Sequence, residues 1–209
     1  MRKQKIMIMP GDHFSRHLRE MAKRFPGRIG LMVSTNHFRP HKLRFPHAID
    51  NGCFSRFDER AFFSLLRRHR GIPGALEPLF VVVPDVWGCH ARTAALWTVY
   101  AAKIIGMGYK TAFVAQDGCR PQDIPFGADV VFIGGTNDWR NRPGLVESFV
   151  ETGIPVHVGR VNNADQVRYY ESIGVRSVDG TGWARKGISG LGRVEDLLAG
   201  PPKQKTLFP

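Results

Sequence analysis

The stretch LFVVVPD, residues 79–85, leads into CHARTAALWTVYAAKIIG (89–106) and then KTAFVAQ (110–116), and the reading of these three pieces decides the fold. The outer two are short, β-branched and almost continuously apolar, as strands of a parallel sheet are when both faces are covered. The middle piece carries a helical pattern. Strand, helix and strand in this order form the repeating unit of an α/β chain.

The same kind of apolar run recurs on either side of this unit. It is seen in KIMIMP (5–10), RIGLMVS (28–34), HAID (47–50), ADVVFIGG (128–135), PVHVGR (155–160) and RSVDG (176–180). Helical patterns separate most of these runs. DERAFFSLLRRHR (58–70) is one, RPGLVESFVETG (142–153) opens near a Pro and closes at a Gly, and NADQVRYYESIG (163–174) starts at an Asn cap and also stops at Gly. Eight strands alternating with helices predict a compact, single-domain α/β chain, a (β/α)8 TIM barrel at the small end of that fold's range. Connections 35–46 and 117–127 read as loops, so the barrel is expected to be irregular. A doubly wound open sheet is the competing architecture. The barrel is assigned to 1–199, with a flexible, extended tail at 200–209.

Bulk properties narrow the class further. The 209 residues hold 30 Lys+Arg against 18 Asp+Glu, a net charge of +12, which favours a polyanionic partner over a merely basic surface. No apolar run has the length of a membrane span, and the one at Ile6–Met9 is too short for a signal peptide, so no membrane partner and a cytoplasmic location are expected. Cys53, Cys89 and Cys119 are odd in number and far apart, without a CxxC pair. The His pairs in HFSRH and HFRPH lack a third ligand nearby, so solvated or hydrogen-bonded His is expected there. Neither a cofactor nor a zinc site is expected.

In a barrel of this kind, chemistry gathers at the C-terminal ends of the strands. Those ends are polar here: Asp50 in IDNG, Asp85 in PDVWG, Gln116 in AQDG, Gly134 and Gly135 in IGG, His157 and Gly159 in HVGR, and Asp179 in SVDGTGW. A Gln with an Asp offers donor and acceptor edges suited to a purine-like ring. Gly-Gly lets a flat ligand approach the backbone and its amides. Two further carboxylates suit chemistry at a sugar carbon, one at the anomeric centre and one moving a proton. Any one of these alone reads equally as a turn residue or helix cap.

The order and spacing of AIDNGCFS, VVPDVWG, FVAQDG, FIGGTND and HVGRVNNADQVRYYESIGVRSVDGTGW, spanning 47–183, resemble the tRNA-guanine transglycosylase superfamily, most closely its 7-deazaguanine DNA transglycosylase branch. The resemblance implies a (β/α)8 barrel that exchanges guanine for a 7-deazaguanine through a covalent sugar–enzyme intermediate. It implies Asp179 as the nucleophile and Asp50 as the acid/base. Asp85 and Gln116 would read the purine edge, Gly134 and Gly135 would clamp the base, Phe54 would stack on it, and Val158 or Gly159 would form the opposite wall. Around the acid/base this chain has NGC where the family has an SGG-type element. No cysteine follows Cys119, and little chain follows Asp179, so the zinc segment and tRNA-binding additions of the tRNA enzymes are not expected. DNA is therefore the implied partner, with a base such as 7-cyano-7-deazaguanine as co-substrate, in a phage or bacterial modification setting.

Arg185 and Lys186, and Arg140 and Arg142, are candidates for holding phosphates beside the target. Trp183 reads either as a surface that stacks on nucleic acid or as a cover for the barrel. In the tail, QKTLF resembles short peptides that dock on bacterial sliding clamps, with Gln204, Leu207 and Phe208 as the docking residues. Two other readings of the rim stay open: an N-glycoside hydrolase acting on a nucleoside or base, and a non-catalytic barrel that binds nucleic acid.

Overall fold

A computed structural model describes residues 5–11, 15–35 and 38–200. His13 and His37 of the two His pairs, and the clamp-like residues Gln204, Leu207 and Phe208, lie outside the described residues. Eight parallel strands are joined in the order β1-β8-β7-β6-β5-β4-β3-β2. They are β1 (Met7–Met9), β2 (Leu31–Val33), β3 (His47–Ile49), β4 (Val81–Val82), β5 (Thr111–Ala115), β6 (Val130–Ile133), β7 (Val156–Val158) and β8 (Ser177–Asp179). The first and last strands of that order meet at a parallel bridge between Ile8 and Ile29, where Ile8 N donates to Arg28 O at 2.8 Å and Gly30 N to Ile8 O at 3.1 Å. The sheet therefore curls into a nearly closed barrel, and the open-sheet alternative is excluded.

The helices form the outer layer: α1 (Arg16–Arg24), α2 (Glu59–Arg70), α3 (His90–Gly106), α4 (Asn137–Arg140), α5 (Leu145–Val150), α6 (Ala164–Ile173), α7 (Thr181–Arg185) and α8 (Gly187–Ala199). Local chemistry explains their limits. Asp58 caps α2 by accepting from Ala61 N at 2.9 Å, and Arg67, Arg68 and Arg70 complement the dipole at its other end. Asn163 caps α6 at Asp165 N, and Gly174, at φ +100°, ends it in the left-handed region. Among the described residues, connection 35–46 holds a 3-10 turn at Pro40–Arg44 and connection 117–127 one at Pro121–Asp123. Among the described residues no helix is long and apolar enough to cross a membrane.

Alternation along the short strands builds two cores. Ala112 and Val114 point inward with Met9, Met32, Ala48, Phe80, Val82 and Val130, filling the barrel. Phe113, Ala115, Val131, Ile133, Val158 and Val178 point outward against the helices. A period of two carries the inward parity upward, from Ala48 to Asp50, Val114 to Gln116, Phe132 to Gly134 and Ser177 to Asp179. The polar rim is therefore the next layer of the barrel interior.

Candidate active site

A cavity of about 440 Å³ opens at the C-terminal ends of the strands, and both Asp50 and Asp179 line it, with Asp85, Gln116, Gly134 and Phe54. Its floor is the inner core, through Met32, Val82, Val114 and Phe132. Asp50 follows β3, where its N–H continues the ladder to Val33 O at 2.8 Å. Its carboxyl is pushed up to about 7, first by burial and then by the charges of Asp179 and Asp85, against hydrogen bonds from the Gly52 and Asn51 amides.

Asp179 ends β8 and is held from below. His157 Nε2 lies 3.0 Å from Asp179 Oδ1, and His157 Nδ1 lies 2.8 Å from Ser177 Oγ. The imidazole is fully buried and packs on Phe132 and Phe80, with ring centroids 4.6 and 5.2 Å away. With Ser177 Oγ–H donating to Nδ1, the remaining N–H sits on Nε2 and donates to the carboxylate. One oxygen of Asp179 is thereby occupied and the other is left for the cavity. Sequence reasoning listed His157 at a strand end but gave it no role. Its signal was parity: it pairs with Ser177 across β7 and β8, two residues before Asp179.

Asp85 sits in a second network. Asn51 Nδ2 donates to its Oδ1 at 2.7 Å, and Gln116 Nε2 donates to its Oδ2 at 2.5 Å. Burial raises the Asp85 carboxyl above its usual range, while these two hydrogen bonds pull the other way. Gln116 Oε1 accepts from both Gly88 N and Gly135 N, each at 2.9 Å, so Gln116 turns only its amino group toward ligand. Cys53 Sγ accepts from Asp85 N at 3.4 Å, and burial pushes its thiol up to about 12, which leaves it a structural partner and a poor nucleophile. The NGC variation noted in the sequence thus supports the Asp85 loop.

The expected backbone clamp is corrected. Gly134 N donates to Ala115 O at 3.0 Å and Gly135 N to Gln116, so neither amide is available to a base. What the pair supplies is clearance: a Cβ on Gly134 would lie 2.9 Å from Gln116 Nε2, and Gly135, at φ +64°, packs against the Trp139 ring. Val158 is also corrected, because its strand parity turns it toward the helices. Gly159 lies on the inner side, where a Cβ would come 2.7 Å from Phe132 and 3.3 Å from Asp179 Oδ1.

At the rim, Phe54 is 76% exposed, and Arg185 and Arg160 line the cavity. Arg160, which carried no role in the sequence reading, has φ +58°, the one positive φ outside glycine among the described residues. Its guanidinium donates to Gly134 O at 3.4 Å and to Gly135 O. Lys186 and Arg142 are exposed but outside the cavity lining. Arg140 is not a phosphate contact: it is 5% exposed and donates inward to Gly159 O and, at 3.1 Å, to Asn137 Oδ1. Trp183 covers the barrel, buried with its Nε1 donating to Val161 O at 2.7 Å.

Away from the cavity, His90, Cys119 and Asp123 bring ligand-type atoms within 4.8 Å of one another, the one such group among the described residues. Asp123 there is already engaged by Arg120 Nε at 3.1 Å and Nη2 at 3.2 Å.

No family model matches the chain, and no curated protein does. Among solved structures, it resembles tryptophan synthase from M. tuberculosis in an aminoacrylate- and BRD0059-bound form, at 12% identity over 94% of this chain and 92% of that one, TM-score 0.60. It also resembles tryptophan synthase from Pyrococcus furiosus (13%, 95% and 97%, TM-score 0.56) and 3-hexulose-6-phosphate synthase (14%, 94% and 99%, TM-score 0.53). At such identities the likeness shows the barrel fold alone and says nothing about transglycosylation.

Proposed function

We propose that the protein is a DNA guanine transglycosylase that exchanges guanine for a 7-deazaguanine, such as 7-cyano-7-deazaguanine, by double displacement. The observation that carries this reading is the pairing of two unlike carboxyls on one cavity: Asp179, oriented by an imidazole N–H, and Asp50, held near 7 by its surroundings. An attacking group and a proton carrier with different environments are what displacement at a glycosidic carbon requires.

The free oxygen of Asp179 attacks C1′ of the target nucleotide, the C1′–N9 bond breaks, and Asp50 delivers its proton to the departing guanine. The incoming base then gives its N9 proton to the Asp50 carboxylate, N9 bonds to C1′, and the Asp179 ester opens to carboxylate. As an ester Asp179 carries no charge, so one of the influences that raise Asp50 is gone during the intermediate. Asp50 is thereby favoured as an acid in the first half and as a base in the second. Asp85 and the amino group of Gln116 present an acceptor beside a donor, complementary to the N1–H and O6 of guanine. A 7-deazaguanine keeps that edge, which lets both bases use one site. The target must leave its stack to reach this depth.

Incubation of the protein with DNA and labelled 7-cyano-7-deazaguanine tests the reading. Exchange places label in the DNA and releases one guanine per label. Abasic sites without label would assign a hydrolase, and binding with neither product would reduce the barrel to a binding module.

A further inference from the structure

The chain has four tryptophans. Trp97, Trp139 and Trp183 are buried, but Trp87 is 55% exposed and stands on the rim of the active-site cavity. It does not ride on a loose loop. On one side Val86 N donates to Thr93 Oγ1 at 3.0 Å, and on the other Gly88 N donates to Gln116 Oε1 at 2.9 Å. The backbone on both sides of a large apolar ring is thus anchored while the ring itself is left in water. Phe54, on the same rim, meets it edge to face, with centroids 6.4 Å apart and planes at 84°.

Two parallel rings would sandwich one base. Two perpendicular rings each keep a face open, so this pair offers two stacking surfaces in different directions. The Phe54 ring serves the base that enters the cavity, which leaves the Trp87 face for a second base. Arg160 and Arg185 line the same cavity and provide cations for the connecting phosphates, in a chain of net charge +12. Aromatic faces beside a cationic groove are the means by which proteins hold unpaired strands, because every base has a π-face and no pairing partner need be read. In a duplex the neighbouring base is already stacked and paired, and its faces are unavailable.

We infer that Trp87 is the stacking platform for the nucleotide next to the target, so that the substrate is an unpaired DNA strand or a locally opened one. This rests on the reading of the cavity as a site for a nucleotide of DNA, and it adds the strandedness of the substrate and a residue that selects it.

Binding is measured without the incoming base, so the test is independent of turnover. A short single-stranded deoxyoligonucleotide is titrated into the full-length protein and followed by intrinsic tryptophan fluorescence and by anisotropy of a labelled strand. Trp87 is the exposed indole, so the strand is expected to quench a large part of the accessible emission, and the same sequence annealed into a duplex is expected to bind at least about ten-fold more weakly. Trp87→Ala should abolish the quench and weaken strand binding roughly ten-fold, with the thermal midpoint unchanged because the side chain is on the surface. Trp97→Phe serves as the control that keeps the quench. Equal affinity for duplex and strand, or Trp87→Ala binding like the parent, would overturn the inference while leaving base exchange standing. Tighter binding of the same sequence as RNA would overturn the assignment to DNA. Loss of exchange activity with the Trp87 effects intact would instead count against the proposed reaction alone.

Discussion

Asp50 carries a carboxyl whose proton is retained to about pH 7, and two consequences follow for this one side chain. In the proposed reaction it is the acid of the first half, so kcat/KM for DNA should fall about ten-fold per pH unit above about 7. In the second it acts as a base, so kcat/KM for the incoming deazaguanine should fall on the acid side, with its break below that for DNA because Asp179 is then esterified. Opposite limbs for the two substrates in steady-state kinetics are the expected outcome; a single shared limb contradicts the assignment. The raised value also costs stability. An acid whose folded pKa lies above its unfolded one destabilises the fold as pH rises from about 4 towards 7. Asp50→Asn should therefore raise the thermal midpoint at pH 8, by the equivalent of about 1–2 kcal/mol, and leave it unchanged near pH 3 while abolishing exchange. His157 has a different part, since it touches Asp179 and faces no substrate. His157→Phe keeps the packing on Phe80 and Phe132 but removes the N–H, and kcat should drop roughly ten- to a hundred-fold with KM for DNA little changed.

The junctions after strands β3, β5, β6 and β8 place these side chains, and those after β6 and β8 depend on close approach at glycine. After β8, Gly180 packs so tightly against the Val161 carbonyl that a Cβ would collide with it, and the same carbonyl accepts from Trp183 Nε1. Gly180→Ala should shift α7 and Asp179 together, lowering both thermal midpoint and exchange activity. At the opposite end of β3, His47 is fully buried and its ring lies 3.3 Å from His69, with burial lowering its pKa to about 4. A His whose folded pKa lies below its unfolded value of 6.5 contributes stability that is present above 6.5 and lost as pH falls toward 4. Asp50 acts in the opposite sense over this window, so the comparison is made in the Asp50→Asn background, where urea midpoints should decline as pH falls and His47→Gln should flatten the decline. Among these elements, legibility followed pattern length. The parallel strands were readable because continuous apolar runs such as LFVVVPD recur, and α2 and α6 because Asp58 and Asn163 cap them. The short α4 was not, as four residues cannot show a helical period, and Arg140 inside it therefore read as a free surface cation. The amides of Gly134 and Gly135 looked available because hydrogen bonds to Ala115 and Gln116 arise only once the strands meet.

For the molecule as a whole, a charge of +12 makes phosphate neutralisation the main contribution expected to the proposed DNA binding. The logarithm of strand affinity should fall linearly with the logarithm of salt concentration. Arg185→Ala should reduce that slope by about 0.7, the contribution of one phosphate on a single strand. Arg140→Ala should leave the slope unchanged and instead lower the thermal midpoint, because its guanidinium is tied to Gly159 O inside the fold. Barrel and carboxyl rim were both legible from strand ends, and of the aromatic and cationic mouth Phe54 and Arg185 were named as well, whereas Trp87 and Arg160 were not: they follow no periodic pattern, and their placement is set by turns at Gly88 and Gly159. The claim on which the account turns is a bond between Asp179 and a DNA sugar. Denaturing mass spectrometry of the protein quenched with single-stranded DNA before any incoming base is added tests it directly. A protein–DNA adduct that has lost one guanine, mapped by peptide analysis to Asp179 and absent from Asp179→Asn, is the predicted result. Base exchange that proceeds undiminished in Asp179→Asn, or an adduct on another residue, would contradict it.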